Sequence, residues 1–246
     1  GANNTGCGHN TLRANTTGGQ NTALGKSALT SSTTASYDTA VGKDALKANT
    51  TGDNNAAVGF KALYSNTTGH SNTAIGASAL QTNTTATHNT AAGHTSLTAN
   101  TTGYANTGFG ADTLKANTSG HDNTAVGKGA LLANTTGDAN TMLGTAAGGG
   151  NTTANDNTFI GYHAGNYTYP TTTGIENTIV GAYSHCHSAS GRNQIVIGRY
   201  CRGIGNYNIV MGMDGGADRI YNQFTSNATW TRASDERIKK DITTNT

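Results

Sequence analysis

Gly8, Gly25, Gly42, Gly59, Gly76, Gly93, Gly110, Gly127, Gly144 and Gly161 stand 17 residues apart at every step. Leu12, Leu29, Leu46, Leu63, Leu80, Leu97, Leu114 and Leu131 follow them at a constant distance of four. A period this short cannot hold a self-sufficient domain. It specifies one supersecondary unit stacked on copies of itself, each burying the apolar edge of the next.

Composition narrows the unit. Only 34% of the 246 residues are hydrophobic and 11% are charged, with 34 glycines and one proline. Such a chain could be a flexible linker, but a linker has no reason to keep Gly and Leu in phase. A formal net charge of +2 makes no case for nucleic acid or an anionic membrane. No stretch of about 18 apolar residues is present to insert into a bilayer. The three cysteines do not make an even disulfide framework. Cys7 falls in the column of Leu24, Val41, Val58 and Ile75 and is expected to act as a small core residue. The repeat is already running at residue 1, without an initiator Met or a leader, so the chain reads as an internal piece of a longer protein.

Aligned on the glycine, the unit reads Asn-Thr-Ala-Val-Gly-x-x-Ala-Leu-x-Ala-Asn-Thr-Thr-Gly-x-x, as in Asn72 to His88. Its two short apolar pieces are too far from a 3.6-residue period to make a helix. Seventeen residues at about 3.3 Å each give a contour near 56 Å, which suits one closed coil of two or three short strands. In Thr73-Ala74-Ile75-Gly76, Ile75 points one way and Ala74 and Gly76 the other, so both faces of the strand ask for cover. One face, that of Ile75, fills the coil; the other, narrow at Ala74 and Gly76, suits close approach of a second chain, which argues for an oligomer about a common axis. Asn-Thr-Thr-Gly is expected to make the bends, where Gly and Asn tolerate positive φ although Ala35, Ala86 and Ala154 show that the position does not always demand it, and Asn and Thr stack into ladders. The fold class is therefore all-β, a β-solenoid of 17-residue coils.

After Gly161 the step changes to 20, 17 and 14, at Gly181, Gly198 and Gly212. The three extra residues fit a loop around Tyr167, Tyr169 and the single proline, Pro170. The organisation expected is regular coils over 1–165, irregular coils over 166–213, a transition over 214–233, and a new segment over 234–246.

That last segment, Ser234-Asp235-Glu236-Arg237-Ile238-Lys239-Lys240-Asp241-Ile242, abandons the repeat. It resembles the opening of the self-cleaving intramolecular chaperone domain of phage tail spikes and fibres, matching at Ser234, Asp235, Arg237, Ile238, Lys239, Asp241 and Ile242. The same residues also read as a capped helix start. The repeats are similar to the head domains of bacterial trimeric autotransporter adhesins. Together these resemblances imply a homotrimeric fibre in a virion tail or at a cell exterior. Its partners would be other tail or baseplate proteins and a host-surface polysaccharide or protein receptor. They also imply a longer precursor that cleaves itself beside Ser234 and Asp235; in this stretch no catalytic set, phosphate loop or zinc-spaced cysteines accompany them. A bacterial trimeric adhesin is the alternative role.

Several residues invite sharper readings. In a trimer, His185 and His187 would present six imidazoles to an axis, enough for an octahedral Fe site; as plain surface histidines they would leave Cys186 alone facing inward. The pairs after each register glycine, such as Lys26-Ser27, Phe60-Lys61, His94-Thr95 and Tyr162-His163, are expected to face solvent. Tyr162, His163, Tyr167, Tyr169 and Tyr183 would offer aromatic contacts to a glycan. Sequons at Asn15, Asn49, Asn66, Asn83, Asn100, Asn117 and Asn134 share the structural period, so bend chemistry accounts for them as well as glycosylation does. Ranked threonines raise an ice-binding or glycan-binding face, against which Tyr64 and Tyr104 stand as bulky interruptions.

Overall fold

The computed structural model describes residues 1–166, 168, 170–213, 219–224 and 231–232. It is all-β. Each coil contributes one short strand to a single sheet in sequence order, from β1 (Thr5–Cys7) to β12 (Ile195–Ile197) and β13 (Asn208–Gly212). Neighbours are parallel and strictly in register: Thr73 lies on Thr90, Ala74 on Ala91, Ile75 on Ala92. Twelve steps of about 4.8 Å make a stack near 58 Å long. Two antiparallel strands, β14 (Arg219–Gln223) and β15 (Thr231–Arg232), end the sheet. The segment over 234–246, with Ser234, Asp235 and the expected helix start, lies outside the described residues, as do Tyr167 and Tyr169.

The expectation of two or three strands per coil is corrected to one. The Ala-Leu piece lies in a turn, and each column leucine takes a left-handed backbone, from Leu46 at φ 47° to Leu97 at φ 53°. Such a conformation costs an L-residue about 1–2 kcal/mol. Burial of the leucine side chain offsets it at about 1.5–3 kcal/mol, and Leu29 through Leu131 in this column are fully buried. The same twist turns each leucine N–H onto the next coil: Leu29 donates to Ala45 O at 3.1 Å and Leu46 to Ala62 O at 3.0 Å. Two further left-handed positions per coil donate backward, as in Ser27 to His9 O at 2.8 Å and Tyr37 to Gly19 O at 3.1 Å. Coils are thus bonded to one another around most of their circumference.

The expected role of the glycines also changes. Positive φ belongs to the register glycine, +130° at Gly76, and none of the Asn-Thr-Thr-Gly glycines adopts it. A Cβ on Gly76 would stand 2.5 Å from the carbonyl oxygen of Gly93. The register is absolute because only backbone fits there.

The core is narrow. A strand column of Ala23, Ala40, Ala57 and Ala74 meets a turn column of Ala28, Ala45, Ala62 and Ala79, with the leucines between. Asparagines complete it in two ladders, as expected. In one, Asn72 Oδ1 accepts from the backbone N–H of Asn89 at 3.0 Å while Asn72 Nδ2 donates to Ala86 O at 2.9 Å. In the other, Asn83 Nδ2 donates to Asn66 Oδ1 at 2.9 Å. Buried amides are tolerated because each finds a partner one coil away.

Candidate functional site

The strands place one residue inward and two outward. Inward Ala40, Ala74 and Ala125 are fully buried, so the expected assignment of the two faces is reversed: the narrow alanine side fills the coil and the bulkier side faces out. Outward, the first position forms a row of threonines and the third a row of aliphatic side chains. Within that third row Leu24, Val58, Ile75, Phe109, Leu143, Ile160 and Ile197 are each 37–49% exposed. Val41, Ala92, Val126, Val180 and Met211 fill the remaining levels, half-buried. Single exposed hydrophobics need no explanation, but these form a continuous apolar stripe along the sheet. Cys7 begins this row and is exposed, so its expected core role is corrected: the strand's alternation turns its column outward.

Tyr64 and Tyr104, the expected interruptions of a threonine plane, lie outside the strands, in the turns. The threonine rank is unbroken from Thr73 through Thr158, with Ala56 and Ile195 in the same column beyond it.

The turn after the register glycine gathers charge and aromatics. All six lysines among the described residues lie there: Lys26, Lys43, Lys47, Lys61, Lys115 and Lys128. Its two carboxylates are already engaged, Asp44 with Lys47 at 3.2 Å and Asp112 with Lys115 at 2.9 Å. Lys43 and Lys61 approach the Phe60 ring at 5.6 and 5.2 Å. Of the paired positions, Lys26, Phe60, His94 and Tyr162 are exposed as expected, whereas Ser27 is buried. Farther along, His163 stacks on Tyr183 at 5.7 Å and Tyr183 on Tyr200 at 4.7 Å, with Tyr162 edge-on to Tyr183 at 5.2 Å. The structure therefore brings Tyr162, His163 and Tyr183 together, and adds Tyr200. These rings cover much of one another's faces, which leaves edges and phenol oxygens for a ligand. The desolvation that packing brings raises the Tyr183 phenol above its usual range.

His185 and His187 differ in environment. His185 is buried, with Nδ1 bonded to Cys186 O at 2.8 Å, and burial holds its imidazole below the usual range. His187 is half-buried and pairs through Nε2 with Ser188 Oγ at 3.2 Å. Cys186 is fully buried, its thiol pushed up to about 11 by desolvation. Cys186 belongs to the core, and His185 is buried beside it, where the plain reading had both histidines at the surface. No cluster of three potential metal ligands occurs among the described residues.

No protein family, curated protein or solved structure matches this chain.

The sequons are structural. Asn49, Asn66, Asn83, Asn100, Asn117 and Asn134 are fully buried. Each donates through Nδ2 to the main chain three residues on, Asn117 to Gly120 O at 2.9 Å for example. The nitrogen a glycan would occupy is already bonded inside the coil.

One buried group escaped the sequence reading. Asp38 stands in the asparagine ladder, fully buried, its Oδ1 accepting from Asn55 N at 2.8 Å and Oδ2 from Asn49 Nδ2 at 2.7 Å. Desolvation pushes its carboxyl up to about 7 despite these donors. The signal was present as the one acidic residue in a column of amides.

Proposed function

We propose that this chain is a segment of a homotrimeric fibre, a stiff spacer and surface-attachment element of a phage tail or a related injection device. The observation that carries the reading is the aliphatic row. An isolated solenoid would leave Leu24, Val58, Ile75, Phe109, Leu143, Ile160 and Ile197 in water along the whole stack. Three copies related by an axis parallel to the stack would meet along these rows and remove them from solvent at every level, with a gain of about 25 cal/mol per Å² of apolar surface. Because the row repeats with the coil, a parallel assembly keeps like positions together throughout. Backbone bonds around most of each coil resist bending, and threefold display gives avidity to weak contacts on the outer turns. The resemblance of residues 234–242 to a tail-spike chaperone supports the phage setting over the adhesin.

The test is charge insertion. Ile75→Asp and Leu143→Asp, which do not touch the inward columns, would turn a trimer into monomers in sedimentation velocity while circular dichroism stays unchanged. A wild-type protein that already sediments as a monomer removes the reading.

The regularly spaced threonine rank beside the aliphatic row favours one second reading, an ice-binding face. Thermal hysteresis of the wild type, lost in Thr107→Tyr, would establish it; freezing at the buffer's own temperature eliminates it.

A further inference from the structure

A groove of about 340 Å³ opens in the lysine-bearing turn where the coils beginning at Lys128 and Thr145 succeed the one that carries Lys115. Small residues create it. Gly129 has open space where a Cβ would be, and Ala146 and Gly149 follow at the levels that Lys61 and Lys47 occupy elsewhere in the stack. Leu132, 40% exposed, supplies an apolar wall. The rest of the rim is polar: Lys128 and Thr145, both exposed, with Asn166 and the Asp112–Lys115 pair.

From this arrangement we infer that the groove seats one carboxylate-bearing pyranose unit of an acidic polysaccharide whose chain runs along the lysine turn. The size fits a small-ligand site. An apolar wall suits the C–H face of a sugar ring, while Thr145, Asn166 and the Asp112 carboxylate suit its hydroxyls. The sign of the ligand follows from the charges. Asp112 is neutralised by Lys115 at 2.9 Å, whereas Lys128, which lines the groove, makes no ion pair among the described residues. Lys26, Lys43 and Lys61 stand in the same turn nearer the first coil, past two coils without lysine, so an extended polyanion meets cations beyond the groove. A phosphate backbone would use the lysines but has no use for the wall at Leu132, which is why a sugar acid is the better occupant.

The site gives the proposed attachment role its ligand class and rests on that role for its setting. It lies off the aliphatic row, so assembly and sugar binding fail separately. The experiment is isothermal titration of the whole chain with galacturonic acid oligomers, with their methyl esters, and with an oligothymidylate of matched length. The acid oligomers should bind, and the esters at least about tenfold more weakly, as expected for loss of a charge-assisted hydrogen bond. Lys128→Ala should weaken the acid by a similar factor and leave the ester unchanged, and Thr145→Trp, which fills the groove, should abolish both. Circular dichroism and sedimentation of the same samples report fold and assembly independently. Equal binding of acid and ester, indifference to Lys128→Ala, or oligothymidylate binding as tight as the acid would overturn the inference. A trimer that ignores every sugar oligomer overturns it too, while leaving the fibre reading in place.

Discussion

Phe159 fills the volume that Gly165 leaves open: a Cβ on Gly165 would lie 2.2 Å from two of the Phe159 ring carbons. One coil earlier, a Cβ on Gly148 would lie 2.8 Å from Met142 Sδ. In the preceding coil the same two positions hold Ala125 and Leu131, both fully buried. The core therefore conserves its sum rather than its residues, small strand residue with large turn residue or the reverse. Phe159→Ala should lower stability by about 3–5 kcal/mol. Gly165→Leu alone should also be severe, because the ring occupies the site. Together they recreate the Ala-Leu coil and should recover more than half of the loss, read as thermal midpoints. Additive losses would show that the positions do not share space.

Asp38 makes stability depend on pH in an unusual direction. Its carboxyl is raised from an ordinary 3.8 to about 7, so the folded chain binds the proton more tightly than the unfolded one. The corresponding stability is fully present below about pH 4, declines as pH rises through 7 and is then flat, by at most roughly 4 kcal/mol at 1.36 kcal/mol per unit. The neighbouring ladder explains the placement. Ser32 stands in the asparagine column with a buried, unpartnered hydroxyl, and the Asn49 amide turns instead to Asp38 Oδ2. Ser32→Asn with Asp38→Asn should restore both ladders, raise the melting midpoint at pH 8, and remove the wild type's decline between pH 4 and 8.

Two glycines with positive φ should respond very differently to alanine. Gly129, at φ +65°, has nothing within 4 Å of a built Cβ, so Gly129→Ala should cost about 1 kcal/mol of backbone strain. Gly76→Ala adds a collision with the Gly93 carbonyl at 2.5 Å and should cost on the order of 3 kcal/mol or more, by forcing two coils apart. Denaturation midpoints of the two variants, compared directly, check the difference. Equal effects would mean that the coils are not in contact at the register glycine.

Much of this was legible in the chain. The period of Gly76 and Gly93 gave the stacking, and Asn66 over Asn83 gave the ladders; the alternation of Ala74 and Ile75 gave two distinct faces but assigned them the wrong way round, since Ala74 faces in and Ile75 out. What was missed depends on relations between coils. Leu80 looks like a strand residue because nothing local discloses a left-handed turn; the cost of that turn is met by burial and by a bond to the next coil. Cys7 looked like core because its column is apolar, yet that column faces out. The groove near Lys128 arises from Gly129 in one coil lying against Ala146 and Gly149 in the next, and linear spacing does not reveal what is absent beside a side chain.

The account rests above all on the aliphatic row from Leu24 to Ile197 being an interface between copies. Sedimentation equilibrium of the purified chain decides it. The prediction is a mass three times the 25.0 kDa of one chain, falling to that of one chain in Leu143→Asp. A single 25.0 kDa species at all concentrations, the same for both proteins, would contradict it.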